Sequence, residues 1–221
     1  AAGWVVLGQL EHAAVAAFAD LAHRLLQLGA PSELVSASLC AAEDEVRHAR
    51  RCFSLASHYL GEPVGPGRFD ALSRVASPAD PRDALVRIAL GSLRDGALGE
   101  GVAAATAAAS ALRVDDPVVR ATFQTIAREE AEHAELAWAV LRWALGTDRA
   151  AVAPALEQAL PDLERSLSPA RPDLPGHDPE ALARLGLLPQ AELGRIARAG
   201  IEATRWRCRG LLDRAPERQA V

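Results

Sequence analysis

A chain of 221 residues that is 50% hydrophobic can bury a full core, and its length fits one or at most two domains. Its 24 basic and 29 acidic residues are interspersed, leaving a formal charge of −5 with no Lys/Arg block and no aromatic interleaving, which disfavours nucleic acid as a partner. Alanine, leucine and arginine dominate and aromatics make up only 4%, so the expectation is an all-α protein whose helices pack through small and branched aliphatic side chains.

The first expected helix covers about residues 3–28, and "LGAP" at 28–31 supplies a C′ glycine and a proline for the start of the second, about 31–60. The Gly/Pro-rich stretch "LGEPVGPGRFDALSRVASPADP" at 60–81 separates this from a third helix over about 82–112. "VDDP" at 114–117 then gives an aspartate cap, with Pro117 in the first turn of a fourth helix over about 116–146. One long connection amid short ones fits a bundle with a crossover rather than a simple up-down-up-down arrangement. Further helices are expected over about 149–166 and 189–214, divided at "SPARPDLPGHDPEA" (168–181), whose prolines forbid a continuous helix. In the last helix Leu193, Ile196, Ala197, Gly200, Ile201, Thr204, Cys208 and Leu211 form one apolar stripe. The expected division is a four-helix bundle over 1–147 and a C-terminal helical appendage over 148–221 packed upon it.

The most apolar unbroken run, "GVAAATAAASAL" at 101–112, is too short and too alanine-rich for a bilayer of about 30 Å, so no membrane span is expected. Cys40, Cys52 and Cys208 form no Cys-x-x-Cys and no paired framework; with no signal-peptide pattern, this points to the cytoplasm.

Two stretches carry the chemical signal. In "CAAEDEVRHARRC" (40–52), Glu45 and His48 lie three apart on the face of Ala41, Cys52 and Leu55, while Glu43 and Asp44 read as solvated surface with Arg47 and Arg51. In "FQTIAREEAEHAELAW" (123–138), Glu130 and His133 share a face with Val119, Phe123, Ile126, Ala137 and Leu141, and Glu129, Glu132 and Glu135 fall mainly on the other side. Glu11 sits in the first helix's stripe of Trp4, Leu7, Gly8, Val15, Phe18 and Ala22. Glu100 is the only acid in the third helix's stripe of Leu93, Gly96, Ala97, Ala103, Ala104 and Ala107.

With 16 glutamates and six histidines in 221 positions, composition alone yields a Glu-x-x-His pair about 0.4 times. Two copies, each interrupting an apolar stripe, outweigh the bland reading as polar surface. Buried carboxylates cost several kcal/mol each to desolvate, a conflict that bound cations remove. Carboxylates can bridge two ions while a neutral imidazole on each leaves coordination positions open, a hard, oxygen-rich set suited to iron or manganese rather than structural zinc. His12, His23, His58 and His177 read as surface or packing residues, Cys52 as a small core residue or the wall of a substrate cavity, and Trp138 and Trp143 as core or interface anchors. The alanine-rich third helix either permits close contact or leaves room beside Glu100 for an apolar tunnel.

Through Glu11, "EVRH" (45–48), Glu100 and "EAEH" (130–133), the chain resembles the ferritin-like di-iron oxidase and oxygenase superfamily over about residues 3–146. The resemblance implies a ferritin-like four-helix bundle with one long crossover and extra C-terminal helices. It further implies one metal held by Glu11, Glu45 and His48 and a second by Glu100, Glu130 and His133, with Glu45 and Glu130 as bridging, catalytic carboxylates. The second full motif departs from storage ferritins, three scattered cysteines cannot build a rubredoxin module, and the only tyrosine, Tyr59, is too far along its helix from Glu45 for a radical beside the metals. The expected function is an oxygen-activating oxidase or monooxygenase. It would use two iron ions, with manganese as the alternative at one or both positions, and molecular oxygen as co-substrate. Its partners would be a small, largely apolar organic substrate, a separate electron donor, since no flavin or nicotinamide fingerprint is present, and a second copy of the chain if a homodimer forms. The competing readings are an iron-oxidising or peroxide-detoxifying protein and a non-catalytic helical interaction protein.

Overall fold

The computed structural model describes residues 1–67, 80–167 and 178–214. These residues are helical with no strands among them, and the bundle is built from α1 (Ala2–Gln27), α2 (Ser32–Leu60), a third rod and α5 (Pro117–Ala159). The third rod comprises α3 (Pro81–Gly91), a π-helical segment (Ser92–Glu100) and α4 (Gly101–Arg113). Its start and that of α5 obey the same local chemistry. Asp80 accepts from Arg82 N–H at 2.8 Å ahead of Pro81, and Asp116 accepts from Val118 and Val119 N–H at 2.7 and 3.2 Å ahead of Pro117. Gly29, expected past the end of the first helix, adopts φ 65°.

Two apolar clusters mark the ends of the bundle. Trp4, Cys52, Ala56, Ala107, Ala111, Val119 and Phe123 pack together at one end. Phe18, Ala22, Leu25, Val35, Ala41, Ile88, Leu136 and Val140 pack at the other. Thus α1 and α5 run from the first cluster to the second, whereas α2 and the third rod both run from the second to the first. Two parallel neighbours in sequence order cannot be joined by a tight turn, and the connection after α2 is accordingly the long one. Much of it, together with residues 168–177 of the break at 168–181, His177 among them, lies outside the described residues.

One expectation about the elements changes and another is refined. The third helix is not uniformly α-helical, because nine residues before and including Glu100 take the wider π turn. The expected helices over about 116–146 and 149–166 meet across a kink at Asp148, whose backbone is non-helical (φ −147°, ψ 81°) and whose side chain caps the second helix by accepting from Ala151 N–H at 3.1 Å; the last turns, Leu160–Ser166, are 3-10 rather than α. Beyond the kink, Val152, Leu156, Ala159 and Leu163 join Leu93, Leu98 and Leu141 in one core, to which α7 (Gln190–Leu212) adds Ile201 and Cys208. A short α6 (Pro179–Arg184) precedes α7.

By length and composition alone α1 could cross a membrane, with a mean hydropathy of 1.3 over its best 18 residues. Its apolar run is interrupted by Glu11 and His12, so it does not stand out as an unbroken stretch. In this fold α1 turns Trp4, Glu11, Phe18, Ala22 and Leu25 into the bundle.

Candidate metal centre

Between the two apolar clusters, the four rods bring all six sequence-predicted residues together. Their donor atoms form two sets, Glu11, Glu45, His48 and Glu130, and Glu45, Glu100, Glu130 and His133, each with atoms within 4.8 Å of one another. Glu45 and Glu130 belong to both. Each imidazole turns Nδ1 inwards: His48 Nδ1 lies 3.3 Å from Glu130 Oε1, 3.5 Å from Glu45 Oε2 and 3.7 Å from Glu11 Oε2. His133 Nδ1 lies 3.1 Å from Glu45 Oε1 and 3.2 Å from Glu130 Oε2. The spacing of three within each motif stacks the glutamate and histidine of one helix, and docking α2 against α5 interleaves the two pairs.

The outward nitrogens reveal two residues that sequence reasoning placed on the surface. His48 Nε2–H donates to Glu129 Oε2 at 2.7 Å, and Glu129 is buried while its other oxygen accepts from Arg128 at 2.6 Å. His133 Nε2 faces Asp44 Oδ2 at 3.4 Å, and Asp44 also pairs with Arg47. Each acid immediately precedes the glutamate of one motif and orients the histidine of the other, as carboxylates behind metal-bound imidazoles do. Their signal in the sequence is an acid just before each motif, "DEVRH" and "EEAEH".

Among the side chains alone, the charge balance is internal. Burial raises the Glu11 pKa to about 8 against the opposing effect of His48, and burial with the charges of Glu130, Glu45 and Glu11 raises that of Glu100 well above its ordinary value. Burial also acts to raise Glu45 and Glu130, but His133 and His48 overcome it and hold both below the ordinary carboxylate range. For the imidazoles burial acts downwards, and the surrounding carboxylates outweigh it: Glu11, Glu130 and Glu45 push His48 to about 12, and Glu130 and Glu45 push His133 to about 9. Glu45 and Glu130 are thus favoured as carboxylates and the two imidazoles as imidazolium, opposite charges that offset one another, while Glu11 and Glu100 are pushed towards the neutral acid.

That balance leaves the polar atoms poorly satisfied. Glu45 is fully buried, and neither of its oxygens nor His48 Nδ1 has a hydrogen bond of regular geometry despite the short ion-pair distances. Orphaned polar atoms facing one point, on a carboxylate and an imidazole, become the donor set of a hard or borderline divalent cation once the imidazoles give up their protons to it.

The two halves differ in their surroundings. Near Glu11 and His48 the interior is closed by Trp4, Phe53 and Cys52; Phe53 packs where a Cβ on Gly8 would be 3.1 Å away. Burial, then Glu11, Glu45 and Glu130, raise the Cys52 pKa, so this cysteine is an inert thiol of the core. Beside Glu100 and His133 lies a mainly apolar cavity of about 340 Å³, walled by α1 (Phe18, Leu21), α3 and the π segment (Ile88, Gly91, Ser92, Gly96) and α5 (Leu136, Ala137). Of the two readings of the alanine-rich third helix, this cavity supplies the room beside Glu100, and its wall on that rod is built from residues that precede Glu100. Tyr59 lies outside the cluster, partly exposed against His58, and Trp138 is a core residue beneath Arg207, whose guanidinium is 4.5 Å from its ring centroid.

Comparison with family models, curated proteins and solved structures finds no match to this chain.

Proposed function

We propose that this chain is a ferritin-like di-iron carboxylate protein and acts as an oxygen-activating oxidase or monooxygenase on a small, largely apolar organic substrate. The observation that carries the metal reading is the pair of buried donor sets sharing Glu45 and Glu130, with the Glu45 oxygens left without hydrogen bonds. In this reading Glu11 and His48 complete one position and Glu100 and His133 the other. The donors suit iron or manganese, and two bound ferrous ions would supply two electrons for the reduction of molecular oxygen.

The chain's own contribution is orientation and exclusion of water. Glu129 and Asp44 fix the ring planes of His48 and His133, so that Nδ1 of each faces the centre. The apolar clusters above and below keep the reacting region dry, which strengthens every charge interaction inside it. The cavity against Glu100 and His133 supports an organic substrate, because Phe18, Leu21, Ile88 and Leu136 give most of its wall an apolar character, with Asp20, Arg24, Arg87 and Asp95 as its charged members. Reducing electrons would come from a separate carrier protein or reductase.

Anaerobic loading with ferrous ion, removal of excess metal and elemental analysis should give two ions per chain, and less than one would overturn the dinuclear reading. Oxygen uptake by the loaded, reduced protein should then rise with an organic substrate and match product formed. Oxidation of many equivalents of free ferrous ion without such a substrate would instead favour iron handling or peroxide removal.

A further inference from the structure

Hydroxyls on the rods of this bundle normally satisfy themselves. Ser38 and Ser57 donate to the carbonyls of Leu34 and Phe53, each at 2.8 Å, and Thr122, Thr125 and Thr147 do the same one turn back at 2.9 to 3.0 Å. Ser92 and Ser110 depart from this habit, and of the two Ser92 is the one that lines a cavity. It opens the π segment, is buried, lines the cavity beside Glu100 and His133, and its hydroxyl has no hydrogen-bond partner. A buried hydroxyl left unsatisfied costs stability, and its place in the wall of a mainly apolar cavity asks for a partner that arrives from outside. Three residues on, Asp95 lines the same cavity and makes no ion pair among the described residues. Asp95 is exposed to solvent at the rim of the cavity, where it can meet a polar group of a ligand entering from outside.

We propose that this cavity is the substrate site, and that it takes a compact apolar body carrying one hydroxyl or amino group, which Ser92 and Asp95 receive while the apolar part lies against Phe18, Leu21 and Ile88. The inference deepens the oxygenase reading and rests on it for the meaning of the word substrate. Both the size and the placement constrain the ligand. A volume of about 340 Å³ is near the lower end of small-molecule sites, so it accepts a single ring or a short chain rather than a sterol or long acyl group. The cavity touches Glu100 and His133 but neither Glu11 nor His48, so the ligand meets one half of the centre only. The polar anchor lies two turns or less from Glu100 along the same rod, so it fixes which part of the ligand is turned towards the centre.

The test uses benzyl alcohol, benzylamine and toluene as probes of nearly equal shape, with binding to metal-free and metal-loaded full-length protein followed by ligand-observed NMR and calorimetry. Benzyl alcohol or benzylamine should bind about three- to tenfold more tightly than toluene, the contribution of one net hydrogen bond. Ser92→Ala should abolish that preference, and Asp95→Asn should weaken benzylamine more than benzyl alcohol if the amine is the better ligand. Ala17→Phe, which fills the cavity from the exposed side of α1, should weaken all three probes. Equal binding of toluene and benzyl alcohol to the unmodified protein, or a preference that survives Ser92→Ala, would overturn the proposal. Metal content is measured on the same samples. Protein that holds two ions yet shows no probe preference refutes the cavity assignment alone, whereas protein that binds the probes but holds no metal refutes the dinuclear reading alone.

Discussion

Glu45 has no exposure, no regular hydrogen bond and a place in both donor sets, so its replacement by alanine leaves two imidazoles and a potential pair of cations poorly neutralised. Glu45→Ala and Glu130→Ala are each expected to lower retained metal from two ions towards one or none per chain, measured by elemental analysis after desalting. Glu43→Ala and Glu132→Ala, whose side chains are exposed, should retain the full complement. The structure adds Glu129→Ala, which frees His48 Nε2 and should weaken metal affinity about 10- to 100-fold with helix content unchanged. A chelator titration followed by circular dichroism checks both halves of that statement. The six inward residues were legible because a spacing of three or four along each apolar stripe points them to one place. Glu129 and Asp44 were not, because each is about 100° off its stripe and has an arginine neighbour typical of a solvated face. What hides in the sequence is that the facing helix approaches closely enough for an off-stripe carboxylate to reach its histidine.

Helix limits, aspartate caps and the long connection could be read from punctuation residues, whose backbone preferences act locally. The π segment could not, since Leu93, Gly96, Ala97 and Glu100 lie on one side of either a 3.6- or a wider-pitched turn over so short a span. Its consequence is a close approach at Gly96, where an added Cβ would stand 2.4 Å from Ala137 Cβ, one turn beyond His133. Gly96→Ala should therefore press the third rod away from α5, costing about 1–3 kcal/mol and several degrees of Tm. Because Glu100 follows on the same rod, the variant should also release the ion of the Glu100–His133 set more readily than its neighbour. Two-step metal release seen by competition with a chromogenic chelator would show this, and an unchanged single-step release with unchanged Tm would count against it. The division of α5 at Asp148 was legible, since an aspartate that caps the following turn interrupts the backbone angles of the helix before it.

The charge balance of the centre makes the stability of the whole metal-free protein depend on pH in a definite direction. Groups whose folded pKa is raised bind protons more tightly when folded, and their contribution is fully present below the unfolded pKa and lost as pH climbs through the folded one. Glu11 is raised from 4.5 to about 8, His133 from 6.5 to about 9 and His48 from 6.5 to about 12, so metal-free protein should lose stability steadily from pH 6.5 to pH 9. Glu45 and Glu130 act oppositely, being lowered, and their contribution disappears only as pH falls below the ordinary carboxylate range. Bound divalent cations replace the protons, so the loaded protein should show a flat or rising Tm over the same interval. Thermal melts of both forms at pH 6.5, 7.5 and 9 decide this, and parallel curves for the two would refute it.

The crossed supports of the two histidines carry a consequence for kinetics. Glu129 on α5 steadies His48 on α2, and Asp44 on α2 faces His133 on α5, so neither the hairpin of α1 and α2 nor that of the third rod and α5 owns a finished half of the centre. A cation held by Glu11 and His48, the half that the cavity does not touch, works as a rivet through two plates: it cannot enter before they meet and cannot leave while they are closed. Loss of that ion to excess chelator should then proceed at the rate at which the hairpins part, reaching a plateau independent of chelator concentration, and mild denaturant should raise that plateau. A release rate that keeps climbing in proportion to chelator would mean that the ion is reached through the closed bundle instead.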